Sequence, residues 1–170
     1  PHTFCKWTIE GQQMRRSCEV CSFVEETAVD REKYFMGNVA GHWDTDSVIL
    51  DNIRYNAYAL ENSIGVYLRI GENSIFYYDG MRSYEGSCVF TNYEEMEKVR
   101  VYRFRADFEG VSPLNMAYCE SEQETTIVFG AGETTFVLAR YPEYTRAMAG
   151  SWGKMRNNQM LSLQLNEDRT

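Results

Sequence analysis

From Ile53 onward, apolar and polar residues alternate in short runs divided by turn-forming residues. A period of two is the signature of strands with one face buried. The runs are Ile53–Leu60, Ile64–Ile70, Ser74–Tyr78, Met81–Thr91, Glu97–Arg105, Leu114–Glu120, Thr125–Phe129 and Thr134–Arg140. Turns are expected at Glu61-Asn62-Ser63, Gly71-Glu72-Asn73 and Asp79-Gly80, the last a strong hairpin signal. Asp44-Thr45-Asp46-Ser47, Asn92–Met96 and Asp107–Pro113 read as loops. Ahead of the strands, Tyr34–Ala40 reads as a short helical turn bracketed by Gly37 and Gly41. Eight or nine short strands joined tightly predict an all-β, up-and-down antiparallel barrel, because closure removes exposed edges. A two-sheet sandwich is the runner-up.

The last strand carries an anomaly. Phe136, Leu138 and Arg140 alternate onto one otherwise apolar face, so an arginine there needs a partner. Pro142 and Glu143 then suit a helix start. Tyr144, Met148, Trp152 and Met155 form one helical stripe, which predicts an α-helix over 142–160 packed outside the barrel, weakened by Gly150 and Gly153.

The 170 residues predict a single domain: a cysteine-containing arm over 1–30, the barrel over 34–141 and the helix over 142–160. A net charge of −8 argues against nucleic-acid and anionic-membrane partners. No apolar run is long enough to form a membrane-spanning helix, and there is no leader-like segment. The start at Pro1 is read as a processed mature chain. Cys5, Cys18, Cys21, Cys88 and Cys119 are many for a reduced compartment, so disulfides and a secreted location are expected, with at least one thiol left over. Cys18-x-x-Cys21 lacks the second Cys-x-x-Cys or the paired histidines that would complete a tetrahedral site, so no metal is expected.

Val29-Asp30-x-x-Lys33-Tyr34 with Gly37, Tyr58–Ser63, Tyr84–Cys88 and Val137–Pro142 occur in an order and spacing that resembles the lipocalins, in particular their apolipoprotein D-like and arthropod pigment-carrier branches. The family's Gly-x-Trp is met either at Gly37-Asn38-Val39, without the tryptophan, or four residues late at Gly41-His42-Trp43. Its Thr-Asp-x-x-Tyr turn is replaced around Cys119-Glu120-Ser121-Glu122. The resemblance implies that Arg140 stacks on Trp43, or on Trp7, bonds loop carbonyls and closes the barrel floor.

It also implies a carrier that sequesters a small hydrophobic ligand without turnover: a bilin, carotenoid, retinoid or fatty acid. No cofactor is required, and a homodimer is left open. Phe136 faces inward if Leu138 and Arg140 do, Tyr58 is the family-like position opposite, and Tyr67, Tyr102, Phe104 and Tyr118 are further aromatic candidates for the wall. Arg100, Arg103 and Arg105 form a locally basic strand with arginines on both faces. One of them could meet a ligand carboxylate, unless Glu94, Glu95 or Glu97 pairs with them from outside. Catalysis is not expected, since His2 and His42 are the only histidines, and an enzyme on this barrel would need a low-pKa thiol at Cys88 or Cys119. The alternative function is a secreted inhibitor or immune modulator that binds a protein with loops at the barrel mouth.

Overall fold

A computed structural model describes residues 2–56 and 65–140 in full and the backbone of 150–156 and 159–165. Three short strands, β1 (Thr8–Glu10), β2 (Gln13–Ser17) and β3 (Val24–Ala28), form an antiparallel meander where an arm without periodicity was expected. Its pairing is held by cross-strand charge: Arg16 contacts Glu25 at 2.6 Å, and Glu25 also takes Lys33 at 2.9 Å. Helix α1 (Arg31–Val39) follows. Asp30 caps it by accepting from Lys33 N at 3.0 Å, and Glu32 sits in its positive first turn.

Among the described residues, nine strands make the main sheet: β4 (Gly41–Leu50), β5 (Ile53–Asn56), β6 (Tyr67–Ile70), β7 (Ile75–Tyr78), β8 (Ser83–Met96), β9 (Val99–Phe108), β10 (Leu114–Ser121), β11 (Thr125–Ala131) and β12 (Thr134–Arg140). From β6 to β12 each pairs antiparallel with the next, and β12 returns to β4, which closes eight strands into a barrel. That closure rules out the sandwich. β5 lies outside the circuit as a hairpin partner of β4, with all four residues exposed. Asp51 and Asn52, at φ 50° and 62°, make the two-residue turn between them.

Two expected loops are strand instead. Asp44–Ser47 lies within β4, whose pairing with β12 shifts by one residue there: Leu138 faces Thr45 and Val137 faces Ser47, which leaves Asp46 as a bulge. Trp43 and Thr45 turn inward and the aspartates outward, so polar composition at this point marks a solvated face rather than a loop. Asn92–Met96 continues β8 in the same way, and outward Glu94 pairs with Arg103.

The helix expected over 142–160 is corrected where the chain is described. Residues 150–156 are extended (β13, Gly150–Arg156) and pair antiparallel with β14 (Gln159–Leu165). Gly150 and Gly153 disfavour a helix, while Leu161, Leu163 and Leu165 alternate with polar residues at the strand period. Residues 141–149 and 157–158 lie outside the described residues.

No disulfide joins the five cysteines. Cys88 and Cys119 sit on opposite faces of the wall. Cys88 pairs with Ala106, which pairs with Leu114, and Cys119 lies five residues further along β10, roughly 17 Å away at about 3.4 Å per residue.

Candidate functional site

The barrel interior has two halves of different character. At the end next to α1, the helix inserts Phe35 among Phe90, Tyr102, Phe104 and Tyr118, with ring centroids 5.1–6.2 Å apart. Tyr34 stacks on Tyr102 at 5.5 Å, and Trp43 meets Tyr118 edge-on at 5.9 Å. Phe35, Trp43, Tyr102, Phe104 and Tyr118 are all at most 2% exposed, so this end is a packed plug. Tyr102 and Tyr118, raised first by burial and then by neighbouring acidic groups, stay neutral far into alkali; the Tyr34 phenol is pushed up to about 12, by burial first and Glu120 second.

Below the plug, Arg140 closes the floor. Its guanidinium lies 4.5 Å from the Trp43 ring centroid and donates to Ala40 O at 2.7 Å and to Asn38 O, while Trp43 Nε1 donates to Val39 O at 2.9 Å. The N-terminal meander is tied on by an amide pair: Trp7 N donates to Asn38 Oδ1 at 2.8 Å and Asn38 Nδ2 to Trp7 O at 2.9 Å. A cavity of about 400 Å³ lies between that segment and the floor, with Lys6, Trp7, Tyr34, Arg100, Glu120 and Arg140 among its lining.

Of the three arginines of β9, Arg100 shares the inner face with Tyr102 and Phe104. The carboxylate it meets is the protein's own: Glu120 lies 3.2 Å away and accepts from the Tyr34 hydroxyl at 3.0 Å through both oxygens. Arg103 and Arg105 point outward to Glu94 and Asp107. This end is polar and internally paired, a floor rather than an apolar pocket.

At the opposite end, β7 to β12 contribute Tyr77, Tyr84, Phe108, Met116, Phe129 and Phe136 to the inner face. Tyr77 contacts Tyr84, Phe108 and Phe129 at 5.6–6.1 Å, and Phe129 stacks on Phe136 at 5.4 Å. Tyr77, Phe108 and Phe129 are buried, whereas Tyr84 and Phe136 are only half-buried, so the cluster grades toward solvent. The Tyr84 hydroxyl donates to Asp79 Oδ2 at 3.3 Å, and Asp79 is held well below the usual carboxylate range by the N–H groups of Arg82 and Met81.

Among the sequence-predicted wall residues, Tyr102, Phe104 and Tyr118 gather around Phe35 in the plug, and Phe136 lies in the mouth cluster. Tyr67 is on the outer face of β6, against Phe76 at 6.2 Å and hydrogen-bonded to His42, so it is no part of the interior. The inward positions of β6 are Leu68 and Ile70, one residue out of phase. Tyr58 lies outside the described residues. Sequence reasoning missed Phe35, Tyr77, Tyr84, Phe108 and Phe129. Phe108 and Phe129 were within reach of it, standing at even spacing from Tyr102 and Ile127 on the same strand faces.

For nucleophilic chemistry the thiols are poorly placed: burial pushes the Cys88 and Cys119 thiols up, the reverse of activation. In the arm, folding brings His2 to Cys18-x-x-Cys21, with Cys21 Sγ 3.4 Å from His2 Nδ1. The Cys18 thiol there is lowered to about 6, chiefly by the Val20 N–H pointing at its sulfur. No family model matches the chain, and no curated protein or solved structure is significantly similar to it.

Proposed function

We propose that the chain is a lipocalin-like carrier that sequesters a small hydrophobic ligand in the mouth half of the barrel. The observation that carries this reading is the graded aromatic cluster, with Tyr84 and Phe136 half-buried above buried Tyr77, Phe108 and Phe129. An apolar wall with a few hydroxyl tips suits a retinoid, carotenoid, bilin or fatty-acid chain. The closed end supports it as a rigid base, since the plug and the Arg140 floor fill the barrel on that side. A secreted location goes with this reading.

The test is native mass and absorption of protein isolated from its source without denaturation, followed by titration of stripped protein with retinol and a long-chain fatty acid. One equivalent of cargo is expected. Tyr84→Ala and Phe136→Ala should weaken binding by about tenfold or more, roughly 1.4 kcal/mol, with the fold retained because both positions are half-buried. Absence of binding, or binding indifferent to both changes, refutes the reading.

A second reading has its own observation. At the mouth end, Met81 in the β7–β8 connection is 76% exposed, Ile53 at the start of β5 is 55% exposed, and Val111 in the β9–β10 connection is exposed. Apolar tips on rim loops suit contact with another protein. A binder that loses its partner on Met81→Asp while keeping ligand-free wall residues unaffected would favour it.

A further inference from the structure

We propose that His2, Cys18 and Cys21 form a zinc-binding site in the N-terminal meander, with a fourth position open to solvent. The three ligand atoms, one imidazole nitrogen and two sulfurs, all lie within 4.8 Å of one another. Tetrahedral zinc with bonds of about 2.3 Å to sulfur and 2.0–2.1 Å to nitrogen sets its ligands about 3.5–3.8 Å apart. The Cys21 Sγ to His2 Nδ1 distance of 3.4 Å already matches, and closing the remaining separations takes about 1 Å.

Each ligand is positioned by contacts of its own. The connection from β2 to β3 is closed by Cys18 N donating to Phe23 O at 2.9 Å, which sets Cys18 and Cys21 within one tight turn. Val20 N donates to Cys18 Sγ at 3.4 Å, so the backbone already supports negative charge on that sulfur. His2 comes from a separate segment. Its ring lies flat on Phe23, centroids 4.6 Å apart and 10° from parallel, and tilts against Phe4 at 5.6 Å; Phe4 in turn bridges to Cys18 across the strands. Two aromatic contacts therefore deliver Nδ1 to the sulfurs. Cys18 is buried while Cys21 and His2 are exposed, which gives an ion both a shielded anchor and a way in.

Thiolate and imidazole select zinc over calcium or magnesium, which take oxygen ligands. On binding, whatever protons the two sulfurs still carry leave for solvent, and the ion gains two thiolates and a neutral imidazole. The open position would hold water. The site would fasten the first residues of the chain to the meander that roofs the barrel floor.

The reduced full-length protein should be titrated with Zn²⁺ against a chromophoric chelator, and separately with Co²⁺. One equivalent of zinc and a thiolate-to-cobalt charge-transfer band are expected. Cys21→Ser should weaken zinc binding by more than about tenfold and diminish the band; His2→Ala should weaken binding about tenfold or more and keep the band, since even outer partners of metal ligands are commonly worth 10–100-fold. Cys5→Ser, which alters a neighbouring exposed thiol, should change neither. The altered residues are exposed, and circular dichroism should report an unchanged fold. Absence of the cobalt–thiolate band, or equal zinc affinity in the parent, His2→Ala and Cys21→Ser, overturns the proposal.

Discussion

Arg140 stands directly opposite Trp43 across the seam between the last and first barrel strands, and its guanidinium lies 4.5 Å from the indole it faces. Two backbone carbonyls of the helix-to-strand connection, Asn38 O and Ala40 O, take its N–H groups. Arg140→Ala should therefore destabilise the fold by about 2–4 kcal/mol, from the loss of charge-assisted hydrogen bonds and the ring contact. Arg140→Lys should recover only part, because an ammonium lacks the planar fork. Denaturant midpoints of the two variants check this, and equal midpoints for parent and Arg140→Ala would sink it.

Gly41 makes that floor possible. Its φ of 138° suits glycine, and a Cβ there would come within 2.5 Å of Arg140 Nη1. Gly41→Ala should cost about 1–3 kcal/mol. The same change made in an Arg140→Ala background should cost less, and a double-mutant cycle measures that coupling.

Phe35 is the helix's contribution to the interior. Phe35→Ala should lower stability by about 3–5 kcal/mol by emptying the centre of the plug. Thermal unfolding reads the loss, and an effect below 1 kcal/mol would mean that the plug is not packed as described.

Glu25 gives the acid side of the stability profile. Lys33 and Arg16 hold its carboxyl below the ordinary glutamate value, Lys33 contributing most. With the folded pKa depressed, its stabilisation is present above the unfolded pKa and is lost as pH falls through the folded one. Glu25→Gln should remove that part of the acid dependence by lowering stability at neutral pH, where the ionised carboxylate is paired, and should change stability little at low pH, where the carboxyl is protonated. Urea titrations across acidic pH test it.

Tyr34 shapes the alkaline side. A phenol raised to about 12 in the fold, against about 10 when unfolded, stabilises fully below pH 10 and loses that contribution as pH rises through 12. Tyr34→Phe should flatten this part of the alkaline limb, although Tyr102 and Tyr118 add to it in the parent. Tyrosinate absorbance followed alongside unfolding would show whether ionisation and loss of structure coincide.

These effects trace back unequally to the sequence. The alternation of Phe136, Leu138 and Arg140 placed that face inward, and tight turns between alternating runs led to the barrel. The outward aspartates of β4 and glutamates of β8 concealed strands, because one residue in two of a barrel wall faces water and can carry any charge. The face of Tyr67 depended on register, where a slip of one residue reverses every side chain. The neighbourhood of His2 could not be read locally, since it joins residues 16 and 19 positions away through a turn and two ring contacts.

The seam has a consequence in time. Ala40 and Arg140, joined by a hydrogen bond, are 100 residues apart, whereas most other neighbouring strands of the wall are linked by connections of a few residues. Hairpins of that kind form in microseconds, but the pairing of β4 with β12 must wait for the longest loop to close. On the ribosome, β4 emerges with its closing edge unpaired and keeps it so until the last wall strand is made. Ring closure should therefore limit the folding rate, and the interval before it should be when the nascent chain is most open to joining edges with a neighbour.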